Sequence, residues 1–174
     1  AYATNILGTF YGNTIVFSTD TGAFNISIGQ DYEGGIIAYI IQPGEQGYVQ
    51  GDVHGYIVAP TDQSTSAGWG CNGTLIGTST TLGFGQANTT SIVDSCSDVG
   101  AAARLCDTLQ LGIYSDWYLP SKDELYKLYL NKNTIGGFSN STYWSSSECG
   151  SMYENAYVIS FSSGDQGSFH KYTP

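Results

Sequence analysis

Charged side chains are scarce in this chain, and basic ones are the scarcest. Only 11% of its 174 residues are charged, with 5 Lys and Arg against 15 Asp and Glu and a formal net charge of −10. Proteins that bind nucleic acids or anionic membrane surfaces use clustered basic side chains, which this composition does not supply. The sequence therefore argues against nucleic acid and anionic lipid as partners.

Long hydrophobic runs are missing too. No apolar run approaches the roughly 20 residues that a membrane-spanning helix needs. Polarity comes instead from Gly, Ser, Thr, Asn and Gln, and the aromatic content comes mainly from 14 Tyr. A chain of this length can form one domain with its own core. Because low charge and abundant hydroxyl groups are typical of exported proteins, we expect an extracellular or cell-surface location.

The sequence contains no CxxC pair, so its four cysteines do not predict a structural zinc site. An even number of cysteines in an exported protein predicts disulfides. The first expected pair is Cys71 with Cys96, which flank loops, and the second is Cys106 with Cys149. A buried free thiol on an apolar helix face is the alternative for Cys106. We expect no metal or other cofactor, with a structural Ca²⁺ held by loop oxygens as the one exception left open.

Catalytic patterns are also missing. His54 and His170 stand apart from any nucleophile or carboxylate motif, so we expect both in loops or at the surface. Asp123 and Glu124 are neighbouring acids, but they fall in the first turn of a predicted helix, where they suit the helix dipole. The sequence therefore predicts that the protein is not an enzyme.

The clearest local pattern is a helix start at Ser121. This residue precedes Glu124 by three positions and an apolar-periodic run follows, which is the pattern of a capping box. We expect a helix over residues 122–131. Another helical region is expected over residues 86–110, in two pieces that begin at Asn88 and at Ser97 or Asp98.

The remaining pattern favours strands. Residues 1–30 predict a β-rich N-terminal arm or hairpin, followed by a main domain over residues 31–174. Within that domain, short apolar or alternating runs bounded by turn residues predict strands. These runs are residues 36–41, 56–59, 143–147, 156–161 and 168–172.

Two motifs carry a resemblance to a known family: Trp117-Tyr-Leu-Pro-Ser-Lys-Asp-Glu-Leu125 and Tyr143-Trp-Ser-Ser-Ser-Glu148. With shorter matches between residues 32 and 106, they resemble the C-terminal domain of Legionella collagen-like protein, also called a Fibrobacter major-paralogous-type domain. The resemblance implies an α+β, C-type-lectin-like fold, with two helices beside a small twisted antiparallel sheet and long loops. Such domains are binding or display modules of exported bacterial, archaeal and phage proteins.

The chain also departs from this family. The aromatic-Val-Arg-x-Val-Arg pattern of the family's last strand does not occur here, and residues 1–30 match no part of it. Sugar-binding C-type lectins carry Glu-Pro-Asn or Gln-Pro-Asp followed by Trp-Asn-Asp, whereas this chain has Gln42-Pro43-Gly44 and Trp144-Ser145-Ser146. Binding of glycosaminoglycans, known in the Legionella domain, is not expected because the chain lacks basic patches.

The resemblance implies that the last strands and loops form the ligand face. Tyrosine among Ser, Gly and Asn is also the chemistry of adaptable binding surfaces. A half-buried sheet with polar outer residues would give the same pattern. The candidate ligand-binding residues are Tyr153, Asn155, Tyr157 and Phe169, with Trp69 from the 61–85 loop.

Four N-x-S/T triplets begin at Asn25, Asn72, Asn88 and Asn140. Chance produces several such triplets in a chain this rich in Asn, Ser and Thr. Asn25, Asn72 and Asn140 are candidate glycosylation sites, whereas Asn88 is expected to be buried.

Two functions of different classes follow. The first is an exported, non-catalytic surface domain that binds or displays a glycan or protein ligand. The alternative is a structural subunit of an extracellular filament or virion appendage. In that case copies of the chain would form a homopolymer by β-strand exchange, with the N-terminal arm as donor strand.

Overall fold

Three helices and two small antiparallel sheets make up the part of the chain whose structure is described. A computed structural model gives the structure of residues 26–150 and 154–173. The expected α+β class is confirmed, and the C-type-lectin-like arrangement stays a prediction. The elements in chain order are β1 Asp31–Tyr32, β2 Gly35–Ile40, β3 Gly55–Val58, α1 Gly85–Ser95, α2 Ala102–Asp107, α3 Lys122–Ile135, β4 Thr142–Glu148, β5 Asn155–Ser160 and β6 Gln166–His170.

Each sheet has three strands, paired in the order in which the chain runs through them. β2 lies between β1 and β3, with Ile37 opposite Ile57. β5 lies between β4 and β6, with Tyr157 opposite Ser168. Among the described residues, β3 and β4 are therefore outer strands that pair along one side.

Residues 26–30 pack on the main domain, and residues 1–25 lie outside the described residues. Ile26 contacts the buried cluster that contains Ala59 and Trp117. The predicted β-rich arm over residues 1–30 is thus described for its last part alone, and the rest of the arm stays a prediction.

The capping box at Ser121 is confirmed. The Ser121 hydroxyl accepts from the Glu124 N–H at 3.3 Å, and the Glu124 carboxylate accepts from the Ser121 N–H at 2.8 Å. α3 continues to Ile135 rather than ending at residue 131, because Ile135 is buried in the core. Gly136 follows the helix with a φ of 73°, a conformation that glycine adopts without steric cost.

The predicted helix start at Asn88 is wrong, because α1 begins earlier, at Gly85. The Asn88 side chain is buried and accepts from the Ser79 N–H at 2.9 Å while donating to the Ser79 carbonyl at 2.7 Å. The start of α1 is held by Glu124 instead. Its carboxylate accepts from the Gly83 N–H at 2.7 Å and, more weakly, from the Gly85 N–H at 3.4 Å.

α2 is a separate helix, so the predicted division of residues 86–110 into two helical pieces is confirmed, and the described residues contain three helices where the resemblance implied two. Neither Ser97 nor Asp98 caps it, because the residue before its first turn is Ala101. The Asp98 carboxylate accepts from the Cys71 N–H at 3.3 Å and so holds the neighbouring loop. Arg104 of α2 donates to two carbonyls at the C-terminal end of α1, at 2.7 Å each.

The predicted disulfide between Cys71 and Cys96 is confirmed, with Cα atoms 5.3 Å apart. It ties the 61–85 loop to the end of α1. The second predicted disulfide is wrong, since Cys106 and Cys149 are both buried and neither is disulfide-bonded. Cys106 packs in an apolar cluster, as the alternative expectation had it, and burial raises the pKa of its thiol.

The segment after α2 connects the three core clusters. Trp117 lies in the cluster with Ile37 and Ile57, Tyr118 in the cluster between the sheets and α3, and Leu119 in the cluster around the disulfide. Complete burial of a large apolar side chain contributes about 1.5–3 kcal/mol. This short extended segment therefore holds the two sheets and the helices together before α3 begins.

Candidate binding groove

A groove of about 370 Å³, hereafter the groove, is lined by residues of the outer strands β3, β4 and β6. Val58 of β3 and the first residues of β4 contribute to its walls. One rim is formed by residues 61–67, and the other by the turn between α3 and β4. The apolar part of the lining includes Ala102, Leu105, Cys106, Leu119, Leu125 and Leu128.

The groove lies next to the outer edges of β3 and β4, where backbone hydrogen-bonding groups are available. An outer strand carries backbone N–H and C=O groups that can pair with one more strand. β3 and β4 each have one neighbour in their sheets among the described residues. The groove therefore lies beside two strands that could accept an added strand.

Hydrogen bonds connect the two rims. The Tyr143 hydroxyl donates to the Asp62 carboxylate, with O–O distances of 2.8 and 2.9 Å. The Ser139 hydroxyl donates to the same carboxylate at 3.1 Å. Burial raises the pKa of Tyr143, and its bond to Asp62 adds to that rise. The phenol therefore stays protonated and keeps the 61–67 loop against the turn after α3.

One wall of the groove is aromatic. Trp144 of β4 donates its indole N–H to the Ala67 carbonyl at 3.0 Å, which fixes the ring against the loop. Phe169 of β6 meets the Trp144 ring edge to face, with centroids 6.4 Å apart. Phe169 is 45% exposed, so this wall has apolar area available to a ligand.

Charge is nearly absent from the groove. Asp62 is the one charged side chain among the described residues that line it. A polyanion would need cations that this lining does not supply. The groove therefore fits an uncharged, partly apolar ligand.

Four of the five predicted ligand-binding residues lie in the described part of the chain, and these four are not brought together. Phe169 lines the groove. Asn155 and Tyr157 alternate with Ala156, the partner of Phe169, and so lie on the other face of the β5–β6 hairpin. Trp69 is fully buried, and its indole N–H donates to the Ser145 carbonyl at 2.8 Å. The predicted ligand contact of Trp69 is wrong, because this ring belongs to the core. Tyr153 lies outside the described residues.

The candidate glycosylation sites differ in exposure. Asn140 is exposed in the turn before β4, and Asn72 is half-buried beside the disulfide. Asn88 is buried, as expected. Asn25 lies outside the described residues. Exposure thus favours Asn140 as the acceptor, whereas modification of any of these positions stays a prediction.

A buried ion pair between Glu148 and Lys171 was missed by the sequence reasoning. The Lys171 Nζ lies 2.5 Å from the Glu148 Oε1, and the two side chains are 2% exposed or less. The Glu148 carboxylate also accepts the N–H groups of Ile76 and Gly77, at 3.0 and 2.6 Å. Lys171 donates to the Thr74 carbonyl at 2.8 Å. The pair therefore fastens the 74–77 segment to the end of β4 and to the residues after β6.

Glu124 is a second buried carboxylate. Burial raises its pKa to about 7, and hydrogen bonds from the backbone of Ser121, Gly83 and Gly85 oppose that rise. These bonds join the starts of α1 and α3. The side chain is therefore engaged in holding two helices, although its position in the sequence indicated a local cap alone.

The histidines occupy different environments. His54 lies in the loop just before β3, as one of the two expectations had it, but it is buried rather than at the surface, and burial lowers the pKa of its imidazole. His170 is exposed, with Nε2 3.5 Å from a Glu154 carboxylate oxygen.

Across residues 26–150 and 154–173, no group of three or more His, Cys, Asp or Glu is arranged to hold a metal ion.

None of the helices in the described ranges combines the length and apolar character needed to cross a membrane.

The resemblance stated from the motifs remains a prediction, since comparison with protein-family models and with curated proteins finds no match for this chain.

Proposed function

We propose that this chain is an exported, non-catalytic surface domain that binds or displays a ligand, with the groove as its binding site. The lining of the groove carries this proposal: an apolar floor, rims rich in hydroxyl groups and one carboxylate. Ligand sites commonly combine apolar walls with a few polar groups that fix orientation. An uncharged glycan or an uncharged protein segment fits this combination.

Other features support the same proposal. A disulfide between Cys71 and Cys96 suits an oxidising, extracellular environment. The buried carboxylates of Glu124 and Glu148 are engaged by backbone N–H groups and by Lys171, which favours a structural role for both. A C-type-lectin-like arrangement, with its long loops as the ligand face, is part of this proposal.

Replacing Phe169 by alanine tests the groove directly. We expect ligand capture to fall about tenfold, because truncating an aromatic contact of a binding site costs on the order of 1–2 kcal/mol. The melting temperature should change little, since Phe169 is 45% exposed. The measurement is capture of uncharged oligosaccharides and uncharged peptides from arrays by the full chain.

Two further variants give this test its controls. Ile113→Ala alters a residue that is 86% exposed and does not line the groove, so it should bind like the wild type. Tyr157→Ala alters the other face of the β5–β6 hairpin and should also leave capture unchanged. Loss of capture in Tyr157→Ala, with normal capture in Phe169→Ala, would move the site away from the groove.

A second candidate function is a structural subunit of an extracellular filament or virion appendage. The observation that favours it is the presence of two outer strands beside one apolar groove. A strand from another molecule could extend either sheet there by β-augmentation. Electron microscopy of the purified full chain should then show polymers, whereas particles that remain single at high concentration would count against this function.

A further inference from the structure

Residues 1–25 are poor in charge and rich in large apolar side chains, a composition typical of a strand that packs against an apolar surface. They contain one charged side chain, Asp20, and no Lys, Arg or Glu. Their large apolar residues occur mostly in two short runs, separated by the turn-forming pair Gly12-Asn13. These residues are Tyr2, Ile6, Leu7, Phe10, Tyr11, Ile15, Val16, Phe17 and Phe24.

The groove matches such a segment in chemistry. Its floor is apolar, and a single carboxylate is the one charge among its described lining residues. The part of this segment before Asp20 carries no charged side chain, so it can enter without burying an unpaired charge, which would be costly. Its backbone can also pair with the outer strands β3 and β4, while alternate side chains reach the floor.

We propose that the groove receives a strand from residues 1–25 of a second copy of this chain. This inference rests on the proposed function, since it identifies the protein ligand of the same groove. The copies would join head to tail, each giving its arm to the next and receiving one. Such a heterologous contact produces open polymers or closed rings.

Chain length allows a second copy to be the source. A folded unit of about 145 residues has a diameter of roughly 38 Å, from the radius of gyration expected at that size. Twenty-five extended residues span up to about 80 Å. The arm can therefore cross its own domain and still reach a neighbour. Its large apolar residues also exceed what a groove of about 370 Å³ can hold, so one part is left to contact the neighbouring domain.

Complementation between two full-length variants tests the proposal. One variant carries Ile15→Asp with Phe17→Asp in the arm, which charges the donor strand. The other carries Leu105→Asp in the groove, where Leu105 is half-buried on α2 and lines the wall. We expect the wild type to form oligomers and each variant alone to be monomeric. Mixing the two should give a 1:1 heterodimer, because one intact arm meets one intact groove.

Size-exclusion chromatography with light scattering measures all these states. Heterodimer formation shows that both variants are folded, so loss of assembly cannot be ascribed to unfolding. Val99→Asp serves as the control, since Val99 is 82% exposed and does not line the groove, and it should assemble like the wild type. Circular dichroism checks the fold of each variant.

Other results would show whether the proposed occupant of the groove is wrong or the filament function is wrong. A monomeric wild type would overturn the proposal and the filament function together. An arm variant that assembles like the wild type would overturn the donor strand and leave assembly through another surface. A mixture of folded variants that stays monomeric would show that the arm enters its own groove or none. Capture of glycans by the wild type at an open groove would favour the ligand-binding function with a different occupant.

Discussion

Replacing Lys171 by methionine should lower the free energy of unfolding by about 3–5 kcal/mol. Removing one partner of a buried ion pair leaves the other as an uncompensated buried charge, which costs that much. Here the charge left behind would be Glu148, 2% exposed on its side chain. The Trp69 ring, which lies 4.5 Å from the Lys171 Nζ, would also lose a cation–π contact. Urea denaturation of the full chain measures the change.

Lys122→Met is the matched control for this prediction. Lys122 pairs with Asp123 at 2.8 Å, but both side chains are partly exposed. Surface ion pairs contribute about 0–1 kcal/mol, so the control should lose little stability. A Lys171→Met protein as stable as the control would contradict the role given to the buried pair. The double variant Glu148→Gln with Lys171→Met should lose less than the sum of its single changes, because the two side chains are coupled.

Replacing Gly85 by alanine should destabilise the protein by about 3 kcal/mol, the upper part of the usual range for overpacking. A Cβ at this position would overlap the Glu124 carboxylate and the Tyr118 ring, which are both buried. Either Glu124 must move and lose its bonds at the two helix starts, or α1 must shift. Urea denaturation followed by circular dichroism measures the change.

The direction of the stability change distinguishes overpacking from a gain in helix propensity. In an open helix position, glycine to alanine stabilises by up to about 1 kcal/mol. Gly100→Ala, in the turn before α2, is the control for steric space, since a Cβ there meets no atom within 4 Å. A Gly85→Ala protein that is as stable as the wild type would show that Glu124 does not hold the start of α1.

Structural features that depend on residues close together in the sequence could be predicted from the chain alone. Ser121 and Glu124 are three positions apart, so their capping box could be predicted from the chain alone. Five of the six strands also follow from local alternation and turn residues, whereas the two-residue strand β1 was not predicted. The Cys71–Cys96 disulfide was predicted from loop positions, although four cysteines allow three pairings.

Features whose hydrogen-bond, ion-pair or packing partner is distant in the sequence could not be predicted. The start of α1 was misplaced because its acceptor is Glu124, 39 positions beyond Gly85. The ion pair of Glu148 with Lys171 has no local pattern that distinguishes it from two exposed charges. Trp69 was taken for a ligand contact because its Gly- and Ser-rich surroundings indicate a loop, whereas the disulfide and the core bury the ring.

The groove could be predicted in part. Its 61–67 rim and Phe169 belong to segments that the sequence indicated as functional. The floor could not be predicted, because it combines α2, the residues before α3 and α3 itself, which meet through tertiary packing alone. The opposite placement of Tyr157 and Phe169 follows from strand pairing that a single sequence does not define.

A high-resolution electron-microscopy reconstruction of the assembled full chain tests the central claim most directly. That claim is that function resides in the groove beside the outer strands β3 and β4. We predict strand density in the groove, paired with β3 or β4 and continuous with residue 26 of a neighbouring copy. Polymers whose grooves hold no strand, or hold a strand from the same copy, would contradict it.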